Sequence, residues 1–169
     1  LPICVTCPTI NSSVLVVGPE GTFHIRNSFK CTSEGIIYAI ECKSCGELYI
    51  GETGRKLGDR FREHRRNVIN KKSDSEVAAH FNQSGHKGVE DMSVCGLLHC
   101  HDIIQRKLKE QKLIAKLGTV LGKGMNIDFN FPQFCSDVLG LCVFTFYIYF
   151  ALYFQIYFTL RYADRKSTR

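Results

Sequence analysis

The chain has 169 residues, 22 Lys and Arg against 16 Asp and Glu for a formal net charge of +6, and nine cysteines. That length leaves room for one compact domain with extensions and little more. No positively charged start leads into an apolar stretch, so no secretory signal is visible, and Cys-x-x-Cys spacing argues against a disulfide scaffold. The chain begins at Leu1, as a fragment would.

Residues 1–34 form an N-terminal arm. It carries Cys4-x-x-Cys7, the apolar run Val14 to Val17, a Gly-Pro-Glu-Gly turn at 18–21, and the stretches Phe23 to Arg26 and Phe29 to Cys31. Short strands or an extended arm are expected there. Ile36 to Cys42 reads as a strand, Lys43 to Gly46 as a turn, and Glu47 to Gly51 as the returning strand. Thr53 is placed to cap a helix over roughly 56–70, whose Leu57, Phe61, His64 and Val68 fall on one stripe. Gly58 weakens its first turn. A short helix over 76–81 ends at the Ser84-Gly85 turn, and Met92 to Leu98 reads as a third strand. A second long helix over 103–117 is predicted to carry Ile104, Leu108, Lys112 and Ala115 on one side, with Leu113, Ile114 and Leu117 nearby. The folded unit closes near Gly124 to Asn126, giving a domain over 35–127.

Two tyrosines, Tyr38 and Tyr49, stand at matched positions on the first two of these strands. Arg60 and His64 are four apart on the helix that follows, so both project from one face. Phenols, a guanidinium and an imidazole beside concentrated positive charge point to phosphodiester chemistry. Between Arg55 and Lys72 eight Lys and Arg stand against Asp59 and Glu63, so this one segment carries the equivalent of the whole net charge. A polyanion such as nucleic acid is attracted to such a segment through counterion release; the plain alternative is a solvated basic face.

Cys42-x-x-Cys45 and His80-x5-His86 supply four soft or borderline donors suited to a closed tetrahedral zinc site. Cys4, Cys7 and Cys31, with His24 as a fourth ligand, are a further possible set, against the alternative of reduced thiols. Cys95, Cys100, Cys135 and Cys142 show no ligand spacing.

The 128–169 tail is apolar. From Val138 to Leu160 there is no charged residue in 23 positions, and nine are Phe or Tyr. That is long enough for a transmembrane helix over 138–160. Arg161, Arg165, Lys166 and Arg169 follow it and only Lys123 precedes it, so the positive-inside rule would put the domain on the side without DNA. A non-native read-through extension explains the tail at least as well, and membrane association is not favoured.

Tyr38, Tyr49-Ile50-Gly51, Arg60, His64, Glu110 and Asn126, in that order, resemble the GIY-YIG nuclease superfamily. The string from Ile37 to Arg55 is similar to the endonuclease domain of Penelope-like retroelements in having Cys42-x-x-Cys45-Gly46 between the two tyrosines and Gly51-Glu-Thr-Gly-Arg55 after them. Phe61-x-x-His64-Arg65, Val77 to Asn82, Gly85-His86 and Gly124-Met-Asn126 extend the likeness, which covers about residues 1–127.

The resemblance implies an α+β fold: a small three-stranded antiparallel sheet flanked by helices, with a zinc knuckle and here an apolar C-terminal extension. It implies a metal-dependent DNA endonuclease whose nick leaves a 3′ hydroxyl and a 5′ phosphate. Glu110 would hold Mg²⁺ or Mn²⁺. Arg60 would hold the scissile phosphate, and Tyr49 would position or deprotonate the attacking water with Tyr38 completing the network. His64 would relay the proton and Asn126 would steady the site, to which Gly51 also belongs. Zn²⁺ at Cys42, Cys45, His80 and His86 would be structural, although His80 also matches a family histidine near the active site. Arg55, Lys56, Arg62, Arg65 and Arg66 would contact DNA. An upstream reverse transcriptase domain and a nuclear location follow from the same likeness. The competing reading is a catalytically inactive, zinc-stabilised nucleic-acid-binding remnant.

Overall fold

The computed structural model describes residues 4–120 and 122–127. The expectations for the tail, including the helix over 138–160 and the thiols of Cys135 and Cys142, lie outside them. Among the described residues no helix is long and apolar enough to cross a membrane.

The arm forms a 3-10 turn at Cys7–Thr9 and an antiparallel ribbon of β1 (Leu15–Val17) and β2 (Thr22–His24). Next come β3 (Ile36–Cys42), β4 (Leu48–Thr53), α1 (Leu57–Ile69), α2 (Glu76–Phe81), β5 (Met92–His99) and α3 (Ile103–Leu117). The sheet has the order β4-β3-β5, and both pairings are antiparallel. β3 is central and apolar at nearly every position, as a strand covered on both faces must be. The arm also touches this sheet, Ile10 bridging to Val94 on the outer edge of β5.

Each face of the sheet has its own core. On one, Ile36, Tyr38, Ile40, Cys42, Met92 and Val94 pack against Leu57, Phe61 and Val68 of α1 and Val77, Ala78 and Phe81 of α2. On the other, Ile37, Ala39, Leu48, Ile50, Cys95 and Leu97 pack against Leu113, Ile114 and Leu117 of α3. The predicted α1 stripe is the buried stripe. Helix α3 differs from its predicted face: Ile104, Lys112 and Ala115 are exposed, and the buried residues are Arg106, Leu113, Ile114 and Leu117. The inward stripe therefore begins with an arginine. Its guanidinium is accommodated because Glu52 and the carbonyls of Cys100 and His101 accept its hydrogen bonds, as a buried charge requires.

Two smaller expectations also change. The returning strand runs two residues further, to Thr53. Thr53 does not cap α1: its hydroxyl accepts from the Arg55 backbone N–H at 3.0 Å. The N-cap position is Lys56, without a side-chain cap. Carbonyls from the arm serve instead, with Leu57 donating to Ser33 at 2.9 Å and Gly58 to Cys31 at 2.8 Å.

Candidate active site and metal centre

Register brings the tyrosines together. Tyr38 stands opposite Gly51 and Ile40 opposite Tyr49, so both phenols rise from one face, with ring centroids 6.5 Å apart. Gly51 supplies the room between them. A Cβ there would lie 2.6 Å from the Tyr38 hydroxyl and 2.8 Å from Cε1 of Tyr49, so both rings occupy space that any side chain would claim. Gly51→Ala should lower stability by about 1–3 kcal/mol, the usual range for overpacking, and displace the Tyr38 hydroxyl. Chemical denaturation measures the first effect; a wild-type midpoint would contradict it.

The Tyr38 hydroxyl, fully buried, is the hub. Nε of Arg60 donates to it at 3.1 Å, and it lies 2.7 Å from Nε2 of His64. With Arg60 on one lone pair, the phenol proton is directed at Nε2. Burial, and then the Arg60 charge, hold His64 down at about 3, so its imidazole is neutral at pH 7 and able to accept. Tyr49 packs edge-on against His64, centroids 5.4 Å apart. Burial raises both phenols well above their ordinary range, which keeps them protonated. Arg60 also pairs with Glu63 at 3.1 Å, and Arg55 reaches the same oxygen at 2.6 Å. A cavity of about 240 Å³ opens here between α1 and the start of α2, lined by Tyr49, Arg60, His64, Asn67 and Glu76.

The free edge of β4 carries the remaining groups. Alternate residues of an edge strand turn their backbone groups outward, and here Leu48, Ile50 and Glu52 do so. Leu48 accepts from the Met125 N–H at 2.9 Å. Asn126 takes the Ile50 N–H at 3.0 Å and donates to the Ile50 carbonyl at 2.8 Å, while Thr119 donates to its Oδ1 at 2.8 Å. The Glu52 N–H serves the carboxylate of Glu110. Asn126 is therefore a clamp that adds the chain after α3 to the edge of β4, beside Tyr49 and Gly51.

Glu110 lies one turn beyond Arg106 on the inward stripe of α3. Burial, and then the Glu52 charge, push it up to about 7, and its charge reaches both tyrosines. Glu52 is paired with Arg106, whereas Glu110 has no salt bridge among the described residues. A largely buried carboxylate that the Lys107 and Arg60 charges reach without forming a salt bridge fits a hard divalent cation, which takes oxygen ligands and keeps several waters. Its raised value has a consequence for the metal-free protein. The ionised form is disfavoured on folding, so this group's contribution is most favourable below its unfolded value and declines as pH rises through about 7. Glu110→Gln should melt higher than wild type at pH 8, by on the order of 1–3 kcal/mol, with the gap closing near pH 4.5. Thermal melts across that range measure it, and a gap independent of pH would contradict it.

Cys42, Cys45, His80 and His86 converge, one ligand atom of each lying within 4.8 Å of the others. Sγ of Cys45 is 3.5 Å from Nε2 of His80, and the other His80 nitrogen faces Glu47 at 3.3 Å. A ligating imidazole backed by a carboxylate is a common outer-shell arrangement of metal sites. Both ring nitrogens of His86 are buried without a hydrogen-bond partner, which is costly unless a metal takes one. The N–H groups of Ser44 and Cys45 turn toward the Cys42 sulfur. This donor set suits zinc. His80 stands at this cluster, while His64 is the histidine on Tyr38.

A family model described as the GIY-YIG catalytic domain matches residues 34–126. The chain belongs to the GIY-YIG family. A solved structure entitled "Structure of the Catalytic Domain of Homing Endonuclease I-TevI" is 18% identical, with 54% of this chain and 96% of that chain covered and a TM-score of 0.47. No curated protein matches.

Within this GIY-YIG domain, the basic residues just before α1 and along it divide. Arg55, Arg62, Arg65 and Arg66 line an open groove of about 600 Å³ with Val5, Asp59 and Ile69. Lys56 is exposed but is not part of its wall. Cys4, Cys7 and Cys31 also converge within 4.8 Å, and His24 is not in that group; it lies on β2. The Cys7 thiol draws Cys4 down to about 7, and Cys7 is in turn pushed up to about 12.

Several supporting residues escaped the sequence reading. Glu63 joins Arg55 to Arg60, Thr119 orients Asn126, Glu47 backs His80, and Arg106 holds Glu52. Arg106 precedes Glu110 by one helical turn and Glu63 follows Arg60 by one, so helical spacing marks both. Glu47 meets His80 across a long stretch of chain, and Thr119 meets Asn126 across a turn that no periodicity reports.

Proposed function

We propose that the chain is a divalent-metal-dependent DNA endonuclease that nicks one strand, leaving a 3′ hydroxyl and a 5′ phosphate. The observation carrying this reading is the Arg60–Tyr38–His64 chain opening, beside Tyr49, onto one cavity in a domain of GIY-YIG type. Arg60 holds the scissile phosphate, since a guanidinium stays protonated and matches phosphate geometry. His64, neutral and hydrogen-bonded to the Tyr38 hydroxyl, holds that phenol in line with Arg60 and would relay a proton only as a weak base, since burial and the Arg60 charge hold it down at about 3. Tyr49, held protonated by burial, orients the water as a donor and does not deprotonate it. Mg²⁺ or Mn²⁺ would bind at Glu110 and supply a Lewis acid for the charge that develops on phosphate oxygens. Asn126 keeps the β4 edge rigid beneath these groups, and the arginines of α1 bind the DNA backbone.

Zn²⁺ at Cys42, Cys45, His80 and His86 is the structural ion of this reading. The knuckle between the two tyrosines supports assigning the domain to a Penelope-like retroelement, with a reverse transcriptase domain upstream and a nuclear location. Membrane attachment through 138–160 is not favoured, because the charge flanking that stretch would separate the domain from DNA.

A second reading, an inactive zinc-stabilised nucleic-acid binder, draws on the pairing of both Arg55 and Arg60 with Glu63. That pairing engages the guanidinium meant for phosphate. Incubating supercoiled plasmid with Mg²⁺ or Mn²⁺ separates the two: open circles support the endonuclease, and bound but intact plasmid supports the remnant.

A further inference from the structure

The cluster at the start of the chain is built like the site between the tyrosines. In Cys42-x-x-Cys45 the backbone N–H groups two and three residues on turn toward the first sulfur. In Cys4-x-x-Cys7 the N–H groups of Thr6 and Cys7 do the same for Cys4. Cys31 closes the set, its sulfur 3.3 Å from that of Cys7, and none of the three forms a disulfide. Three sulfurs so close repel one another once ionised, and a soft divalent cation relieves that repulsion.

The cluster is fastened to α1. The Gly58 N–H donates to the Cys31 carbonyl, and the Thr6 hydroxyl donates to the Gly58 carbonyl at 3.4 Å. Gly58 permits this contact, since a Cβ there would lie 3.1 Å from the Cys31 oxygen and 3.3 Å from its Cβ. The glycine that weakens the helix in isolation is the point at which the arm docks. Val5, between the two ligands of the turn and 48% exposed, then forms part of the groove wall that faces Arg55, Arg62, Arg65 and Arg66.

We propose that Cys4, Cys7 and Cys31 bind a second zinc ion, and that this centre holds the arm as the far wall of the arginine groove that grips the nucleic-acid backbone. Three protein thiolates leave the fourth position to an exogenous donor such as water. The inference rests on the reading of α1 as a DNA-binding helix and is independent of whether the domain cleaves.

The test uses the full chain purified with zinc, metal analysis, and the anisotropy of a labelled DNA duplex without Mg²⁺. Wild type should carry two zinc ions and Cys7→Ser one, with DNA affinity reduced about tenfold. Because Cys7→Ser alters a docking element, Val5→Glu and Val5→Lys provide an independent readout. Both should keep two zinc ions, the first binding DNA more weakly and the second more tightly than wild type. One zinc ion in the wild-type chain would overturn the inference even if the protein nicks DNA. Unchanged affinity in both Val5 variants would overturn it too. Two zinc ions with that order of affinities, in a chain that never nicks, would uphold it while the endonuclease reading fails.

Discussion

Arg60→Ala should lower plasmid nicking by about 10²–10³-fold, the usual cost of removing one preorganised donor from developing charge. The arginine is placed for this by two contacts of different kinds. Its Nε on the Tyr38 hydroxyl fixes the guanidinium over the cavity, and its bond to Glu63 limits its rotation. Duplex affinity should fall only a few-fold, because the groove is lined by other arginines, Arg55 just before α1 and Arg62, Arg65 and Arg66 on it. Arg60→Lys should rescue little, since an ammonium cannot meet phosphate in a planar, bidentate way. Nicking rates at saturating DNA measure the effect, and an alanine variant within threefold of wild type would contradict it.

The second large effect concerns the zinc knuckle. Cys45 is exposed, and an exposed residue with no special role tolerates serine within about 0.5 kcal/mol. If Cys45 ligates zinc, Cys45→Ser should instead cost several kcal/mol, because ion binding is folding free energy for such sites. The loss would spread inward. His80 shares α2 with Val77, Ala78 and Phe81, which pack under β3, and Cys42 ends that strand. Melting with and without a zinc-selective chelator reads this out. Wild type should lose more than 10 °C on chelation and the variant little, and identical melting in all four cases would remove zinc from this site.

Much of the architecture was legible because two periodicities carry it. The apolar run Ile36 to Ile40 of β3, closed by the turn residues that follow it, reads as a strand, and the four-position stripe of α1 reads as a helix. Helix α3 was misread because its inward face starts with Arg106 and includes Glu110; hydropathy assigns both to solvent. The arginine is inside because the distant Glu52 and the nearer carbonyls of Cys100 and His101 together accept its hydrogen bonds. That Tyr38 and Tyr49 share a face was readable from strand pairing, since the register sets Tyr38 opposite Gly51 and Ile40 opposite Tyr49. Asn126 was readable as part of the site, but its clamp on Ile50 depends on an unpaired strand edge 76 residues away, which no local pattern reports. His24 was a mistaken fourth ligand for a similar reason: it is near Cys31 in sequence but belongs to the ribbon.

We propose that this GIY-YIG domain cuts DNA using Glu110 and Arg60. The most direct test compares wild type with Glu110→Gln on supercoiled plasmid over a Mn²⁺ titration, each protein first shown to melt cooperatively and to bind the plasmid. Wild type should convert supercoiled DNA to open circles in a metal-dependent way, and the variant should bind equally well and leave it intact. Equal nicking by both proteins, or none by either at any metal concentration, would contradict the account.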